Sequence, residues 1–163
     1  MEDAAETAKA PEMATLEIWK GPDAELRVGG LRLVACRREV DTIDGGVTLY
    51  VWDDPDAGEA KELLRMDLFR ERPHYHAPAE KQEETSIDAT SADNLAWGID
   101  ALTTRAPALL LEGGFGAEAE RLDTQAIGKA GPAIRSLLEG LGEPKERSTF
   151  DVPASVIASL RES

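Results

Sequence analysis

The two histidines of the chain, His74 and His76, lie two residues apart in a Pro-His-Tyr-His segment. On an extended strand this spacing directs both imidazoles to the same side. Imidazole combines affinity for metal ions with a pKa near neutrality, so the pair suits metal binding, proton transfer or hydrogen bonding. The rest of the chain offers carboxylates and hydroxyls but no recognisable catalytic signature. A functional site is therefore to be sought around these histidines.

The candidate catalytic set joins the histidines to the strand that precedes them. Arg65 and Asp67 alternate with leucine and methionine, which places them on the polar face of that strand. If the segment 74–76 lies beside it, Arg65, Asp67, His74 and His76 form one polar patch. There a carboxylate can orient an imidazole and a guanidinium can hold an anionic substrate. This interpretation predicts proton transfer or substrate recognition.

A second interpretation is metal binding. His74, His76 and Glu80 have the spacing His-x-His-x3-Glu, which resembles the first motif of the cupin family. The resemblance implies a divalent metal held by these three residues. The chain has no third histidine, so a carboxylate such as Asp67 or Asp88 would have to complete the ligand set.

A third interpretation is structural, and it is the one that we favour from the sequence. The segment would be a packed edge strand, with its imidazoles hydrogen-bonded to backbone groups and Tyr75 in the core. The spacing of the histidines is compatible with all three interpretations.

The elements that must position these residues are segregated along the chain. Alternating apolar residues predict strands in the first half, and Gly29-Gly30 predicts a hairpin turn. The second half has helical periodicity, with a first helix that Pro107 must kink or split. The predicted fold is therefore α+β, an antiparallel meander covered on one face by C-terminal helices. The predicted strands are 15–19, 25–28, 31–37, 47–52, 62–69, 74–76 and 86–88, and the predicted helices start near Ser91 or Asp93, Ala117, Pro132 and Pro153.

The same patterns divide the chain into three parts. We predict a flexible acidic tail over residues 1–13 and a single domain over 14–142. Residues 143–163 are predicted to be a linker and a short helix with Val156, Ile157 and Leu160 inward. Within the domain, the acidic residues 53–56 could attract a cation, but they lack the spacing of a calcium loop, so we expect a solvated acidic turn.

Composition limits the partners and the compartment. Asp and Glu number 32 against 18 Lys and Arg, giving a net charge of -14. Such a surface repels nucleic acids and anionic membranes, so we expect neither as a partner. The single cysteine, Cys36, lies in a predicted strand as a small core residue and fits a reducing compartment. With no apolar leader at residues 1–6, the expected location is cytoplasmic.

A longer stretch resembles a family of small uncharacterised bacterial proteins. The residues that carry the resemblance are Leu-Leu-Arg-Met-Asp-Leu-Phe at 63–69, Pro-His-Tyr-His at 73–76, Ile87-Asp88, Trp97 and Gly114-Phe115. They span roughly residues 45–115. The family has no assigned activity, so the resemblance implies a region and not a reaction.

Two functions remain open. The first is a non-catalytic binding, accessory or assembly domain, acting as a homo-oligomer or with a protein partner. The second is a small enzyme or metal-binding protein that uses Arg65, Asp67, His74 and His76. The sequence leaves open whether the chain is an enzyme. It predicts no cofactor, with a divalent metal as the alternative.

Overall fold

The computed structural model describes residues 12–41, 43–56, 58–81, 83–88 and 94–161. Within these ranges it has eight strands and five helices. The strands are β1 (Met13–Lys20), β2 (Ala24–Val28), β3 (Leu31–Val40), β4 (Asp44–Asp53), β5 (Glu62–Phe69), β6 (His74–His76), β7 (Thr85–Ser86) and β8 (Glu146–Pro153). The helices are α1 (Asn94–Glu112), α2 (Gly116–Glu120), α3 (Thr124–Gly128), α4 (Gly131–Glu139) and α5 (Ala154–Arg161).

All eight strands form one antiparallel sheet in the order β7-β6-β5-β4-β3-β1-β8. β2 pairs with the first half of β3, whose last residues pair with β1. β2 to β7 follow one another as a meander, because short turns join neighbouring antiparallel strands. The predicted α+β class, with a largely N-terminal sheet and C-terminal helices, is confirmed.

One face of the sheet holds the hydrophobic core. Leu33, Leu49 and Met66, from three adjacent strands, are fully buried against α1 and α4. The helix–sheet approach is close at Gly98, where a Cβ atom on the helix would lie 2.7 Å from Leu68 Cδ1. A larger residue at 98 would therefore require the Leu68 side chain to shift. Cys36 is buried as predicted, but on the other face of the sheet, where it lies across from Thr48, and burial raises the pKa of its thiol.

Two local predictions from glycine and proline are confirmed. Gly29 and Gly30 join β2 to β3 with φ of 59° and 92°, in the left-handed region that glycine adopts without strain. α1 contains Pro107 and is broken at Arg105, whose φ of -134° is not helical. The break lies just before the proline because its ring clashes with the preceding turn. The predicted start at Ser91 or Asp93 lies outside the described residues.

The chain ends differ from the prediction. The linker predicted at the start of residues 143–163 is wrong, because residues 146–153 form β8, which pairs with β1 along its whole length. Met13 belongs to β1, while residues 1–11 of the predicted tail lie outside the described residues. The helix expected to start near Ala117 is two short helices, α2 and α3. The predicted terminal helix is present as α5, but Val156 is 40% exposed and does not point inward.

No helix in the described part of the chain has the length and apolar character to cross a membrane.

Candidate functional site

The pairing of β5 with β6 brings the four candidate residues together on the sheet face opposite the core. Asp67 lies across from His74, and Arg65 lies across from His76. Met66, which lies between Arg65 and Asp67 along β5, points to the helices because successive residues of a strand alternate between faces. The four polar side chains therefore share one small area, which we call the histidine cluster.

His74 has a hydrogen-bond acceptor at each ring nitrogen. Its Nδ1–H donates to the carbonyl of Arg72 at 2.8 Å, and Nε2 lies 3.0 Å from Asp67 Oδ2 and 3.4 Å from Glu84 Oε2. Burial acts to lower the pKa of His74, but the hydrogen bonds to Asp67 and Arg72 outweigh it and the pKa is raised. This environment favours an imidazolium, since both nitrogens then donate.

His76 is held in one tautomer. Its Nδ1–H donates to the carbonyl of Lys81 at 2.7 Å, so Nε2 carries the lone pair. That lone pair accepts a hydrogen bond from Arg65 Nη2 at 3.0 Å. Both histidines thus donate Nδ1–H to backbone carbonyls and turn Nε2 toward Asp67.

Asp67 is the anionic centre of the cluster. Its Oδ1 accepts a hydrogen bond from the Thr48 hydroxyl at 2.8 Å, and its Oδ2 faces His74 and lies 3.4 Å from Arg65 Nε. Burial acts to raise the pKa of Asp67, but the hydrogen bonds from His74 and Thr48 and the nearby guanidinium leave the pKa lowered. The carboxylate is therefore ionised although its side chain is 5% exposed.

A second buried carboxylate fixes the turn between β5 and β6. Asp44 accepts hydrogen bonds from the backbone N–H groups of Glu71 and Arg72, each at 2.9 Å. The Arg72 side chain then donates to Glu84 at 2.6 Å. Since the Arg72 carbonyl accepts from His74, Asp44 positions the histidine through this turn.

The remaining predicted ligands lie elsewhere. Glu80 is exposed and lines a separate surface cavity with Lys61 and Glu62, and Asp88 is exposed as well. Reasoning from the sequence missed Thr48, Asp44 and Glu84. Thr48 could have been found from the strand register, since it lies opposite Asp67, but the other two reach the cluster through turns.

Among the described residues, one set of donors is close enough to share a metal ion: Asp67, His74 and His76, with ligand atoms within 4.8 Å of one another. Asp67 Oδ2 lies 3.0 Å from His74 Nε2 and 3.8 Å from His76 Nε2. Ligands about 2.1 Å from a metal ion lie ~3.0–3.4 Å apart, so the wider spacings of this set would have to shorten on metal binding. The Arg65 guanidinium contacts two of the three residues, His76 and Asp67.

A small cavity of about 70 Å³ adjoins the cluster. Its lining combines His74, Glu84 and Arg72 with apolar residues that include Phe69 and Leu160. It offers room beside His74 for a molecule of a few atoms.

Comparison with known proteins finds a match to a domain family. A family model described as "Domain of unknown function (DUF7700)" matches residues 25–138, which run from the second residue of β2 to the last but one residue of α4. The whole histidine cluster lies inside the matched region. No curated protein matches the chain, and no solved structure matches it.

Proposed function

The chain belongs to this domain family of unknown function, and from that premise we propose that it binds a divalent transition-metal ion through Asp67, His74 and His76. The proposal rests on one observation. Both imidazoles give their Nδ1–H to backbone carbonyls, of Arg72 and Lys81, so both Nε2 atoms converge on one carboxylate oxygen. Metal-ligating histidines are held in this way, because the outer hydrogen bond fixes the tautomer and the ring orientation.

The donor types select the class of metal. Two imidazole nitrogens and one carboxylate oxygen suit Zn²⁺, Fe²⁺, Mn²⁺, Co²⁺ or Ni²⁺, whereas Mg²⁺ and Ca²⁺ prefer oxygen donors alone. Three protein ligands leave positions open for water or a substrate, as in catalytic sites. Glu84, whose Oε2 lies 3.4 Å from His74 Nε2, is a further carboxylate beside the set.

Metal binding requires Arg65 to leave and His74 Nε2 to lose its proton, because a metal ion binds the lone pair of that nitrogen. The Arg65 guanidinium hydrogen-bonds His76 and lies 3.4 Å from Asp67, so it is the cation that the metal would replace. The side chain is 33% exposed and can swing toward solvent. Arg65 therefore competes with the metal, and its removal is expected to strengthen metal binding.

The test is to measure bound metal on protein without a histidine tag. After equilibration with Zn²⁺ or Mn²⁺ and removal of excess metal, elemental analysis is expected to find one ion per chain. We expect His74→Ala, His76→Ala and Asp67→Asn each to lower affinity tenfold or more in calorimetry. Glu80→Gln is the matched control and is expected to bind as the unaltered protein does. Failure to retain metal, or equal loss in Glu80→Gln, would refute the assignment.

A second candidate is a non-catalytic binding or accessory domain in which Arg65 permanently fills the cluster. It is supported by the contacts of the guanidinium with both His76 and Asp67. Arg65→Gln separates the two functions. Under the metal proposal this variant binds metal at least as tightly as the unaltered protein. Under the accessory proposal it binds none and unfolds at a lower temperature.

A further inference from the structure

Strand β8 lies at one end of the sheet, and its outer edge is open. It pairs with β1 along its whole length, and no other described strand pairs with it. Its first six residues are exposed. The N–H and C=O groups along such an edge form a template to which a further strand can add. The residues of β8 therefore indicate what kind of strand would fit.

The pairing with β1 determines which residues of β8 turn their backbone groups outward. The N–H group of Ala154 donates to the carbonyl of Glu12 at 2.8 Å, in the register of the whole strand pair. Because hydrogen-bonded residues alternate along an antiparallel pair, the even-numbered residues of β8 bond to β1. The odd-numbered residues turn their backbone groups outward, and these are Arg147, Thr149, Asp151 and Pro153. Pro153 has no N–H group to offer.

A second copy of β8 fits this edge in one register. If two copies run antiparallel about Thr149, each Arg147 lies opposite Asp151 of the partner subunit. The three outward residues that have an N–H group then all exchange hydrogen bonds with a residue of the partner strand. Pro153 lies beyond the start of that strand at Glu146, so its missing N–H group forfeits no hydrogen bond. Shifting the register by two residues would either place Pro153 opposite Arg147 or leave Asp151 without a strand residue across from it.

The charges of β8 are complementary in this register. Arg147 and Asp151 lie two residues on either side of Thr149 and have opposite signs, so each faces the opposite charge of the partner across the two-fold axis. Opposite charges directly across an antiparallel pair stabilise it. Within one chain the two residues are roughly 13 Å apart along the strand and cannot pair. Asp151 accepts a hydrogen bond from Thr15 at 3.4 Å, and within the described ranges no cation pairs with it.

An apolar side chain also lies on this strand. Phe150 is 50% exposed in the middle of β8. In the same register it lies opposite Ser148 of the partner subunit and diagonal to the partner's Phe150, a distance that aromatic side chains can bridge. Three of the four large apolar residues that are exposed in the described ranges lie in β1, β8 or α5, at this end of the sheet: Met13, Phe150 and Val156. Association here would cover Phe150, which is otherwise in contact with water.

We propose that two copies of the chain form a symmetric dimer by antiparallel pairing of their β8 strands about Thr149. Each subunit contributes the same strand to the contact, which joins the two sheets into one. β8 lies five strands from β6 in the sheet order, roughly 24 Å away. The dimer is therefore independent of the proposed metal site.

The test is sedimentation equilibrium on the full chain without a tag, with a chelator present, over a wide range of protein concentration. We expect a reversible equilibrium between monomer and dimer. Thr149→Pro removes the central outward N–H group, which β1 does not use, so we expect it to raise the dissociation constant of the dimer tenfold or more. Thr149→Val is the matched control, because it keeps the N–H group at the same exposed position, and we expect it to dimerise as the unaltered chain does.

An exchange of charges tests the register itself. We expect Arg147→Glu and Asp151→Arg each to weaken the dimer severalfold or more, since each places like charges across the two-fold axis. The double variant R147E/D151R restores opposite charges there, and we expect it to regain the dimer. No contact within one chain can produce this recovery, because residue 147 of the double variant still lies beside Glu17, to which Arg147 donates a hydrogen bond in the unaltered chain.

A chain that stays monomeric at every concentration would overturn the proposal. A dimer that persists unchanged in Thr149→Pro would also overturn it, because the contact would then lie on another surface. Failure of the double charge exchange to restore the dimer would exclude this register and the proposal with it. Because Arg147 and Asp151 are exposed, the charge variants decide the question even if Thr149→Pro fails to fold.

Discussion

Strand β5 presents two different surfaces from adjacent residues. Leu64, Met66 and Leu68 face the helices and are nearly or fully buried among apolar side chains. Arg65 and Asp67, on the other face, enter a network of ion pairs and hydrogen bonds with the histidines of β6. Alternate residues of β5 therefore contribute to the hydrophobic core on one face and to the candidate site on the other.

The comparison shows how a carboxylate can be buried in a domain this small. Asp67 is as inaccessible as many core residues, yet each of its oxygens has a partner. Burial of an unpaired charge would be strongly unfavourable, so the partners are a condition of its position. The apolar face needs only close packing, whereas the polar face needs a complete set of contacts.

The largest expected effect comes from the apolar face. Met66→Ala removes a fully buried side chain that packs against the helices. We expect a loss of about 2–5 kcal/mol in the free energy of unfolding, measured by urea denaturation, because a cavity remains in the core. The folded fraction should still bind metal with unchanged stoichiometry. A loss below about 1 kcal/mol would mean that the helices do not depend on this face.

A smaller change in the free energy of unfolding is expected when the pH is varied in the presence of a chelator, because Asp67 and His74 of the polar face titrate. The lowered pKa of Asp67 stabilises the fold above the unfolded value of 3.8, and this contribution is lost as pH falls through the folded pKa. The raised pKa of His74 stabilises the fold below the unfolded value of 6.5, and that contribution is lost as pH rises through the folded pKa. The two contributions are both complete between pH 3.8 and 6.5.

The measurement is the free energy of unfolding of the metal-free protein at pH 5.5, 7 and 9. We expect a decline above pH 6.5 that is absent in His74→Gln, which cannot gain a proton. An identical decline in both proteins would mean that another group titrates. His74 would then not be the group whose protonation stabilises the fold.

Much of the difference between the two faces of β5 could be predicted from the sequence. Alternation along residues 62–69 placed Arg65 and Asp67 opposite the core, and the histidine spacing placed both imidazoles on one side. The predicted polar patch required β6 to lie beside β5, and the two strands are paired. These features depend on local periodicity. Because successive side chains of a strand point to opposite faces, they can be predicted without knowledge of the rest of the fold.

What the sequence did not indicate depends on contacts between distant segments. The cupin-like spacing counts residues along the chain and singles out Glu80, but the register places Asp67 beside the histidines and leaves Glu80 exposed. Asp44 reaches the cluster through backbone N–H groups of a turn, which no side-chain pattern reveals. β8 was missed because most of its side chains are exposed and its pairing with β1 comes from the backbone, so it has no apolar period.

The smallest expected effect comes from removing one hydrogen bond to Asp67. It tests whether the polar face needs every contact of this carboxylate. Thr48→Val keeps the shape of a fully buried side chain but removes the hydroxyl that donates to Asp67 Oδ1. We expect a loss of about 1–2 kcal/mol in unfolding free energy and roughly tenfold weaker metal binding, since the carboxylate loses the contact that orients it. Thr103→Val is the control, because that hydroxyl donates to the carbonyl of Ile99 within its own helix. If both variants weaken metal binding equally, Thr48 does not orient Asp67, and the polar face tolerates an incomplete set of contacts.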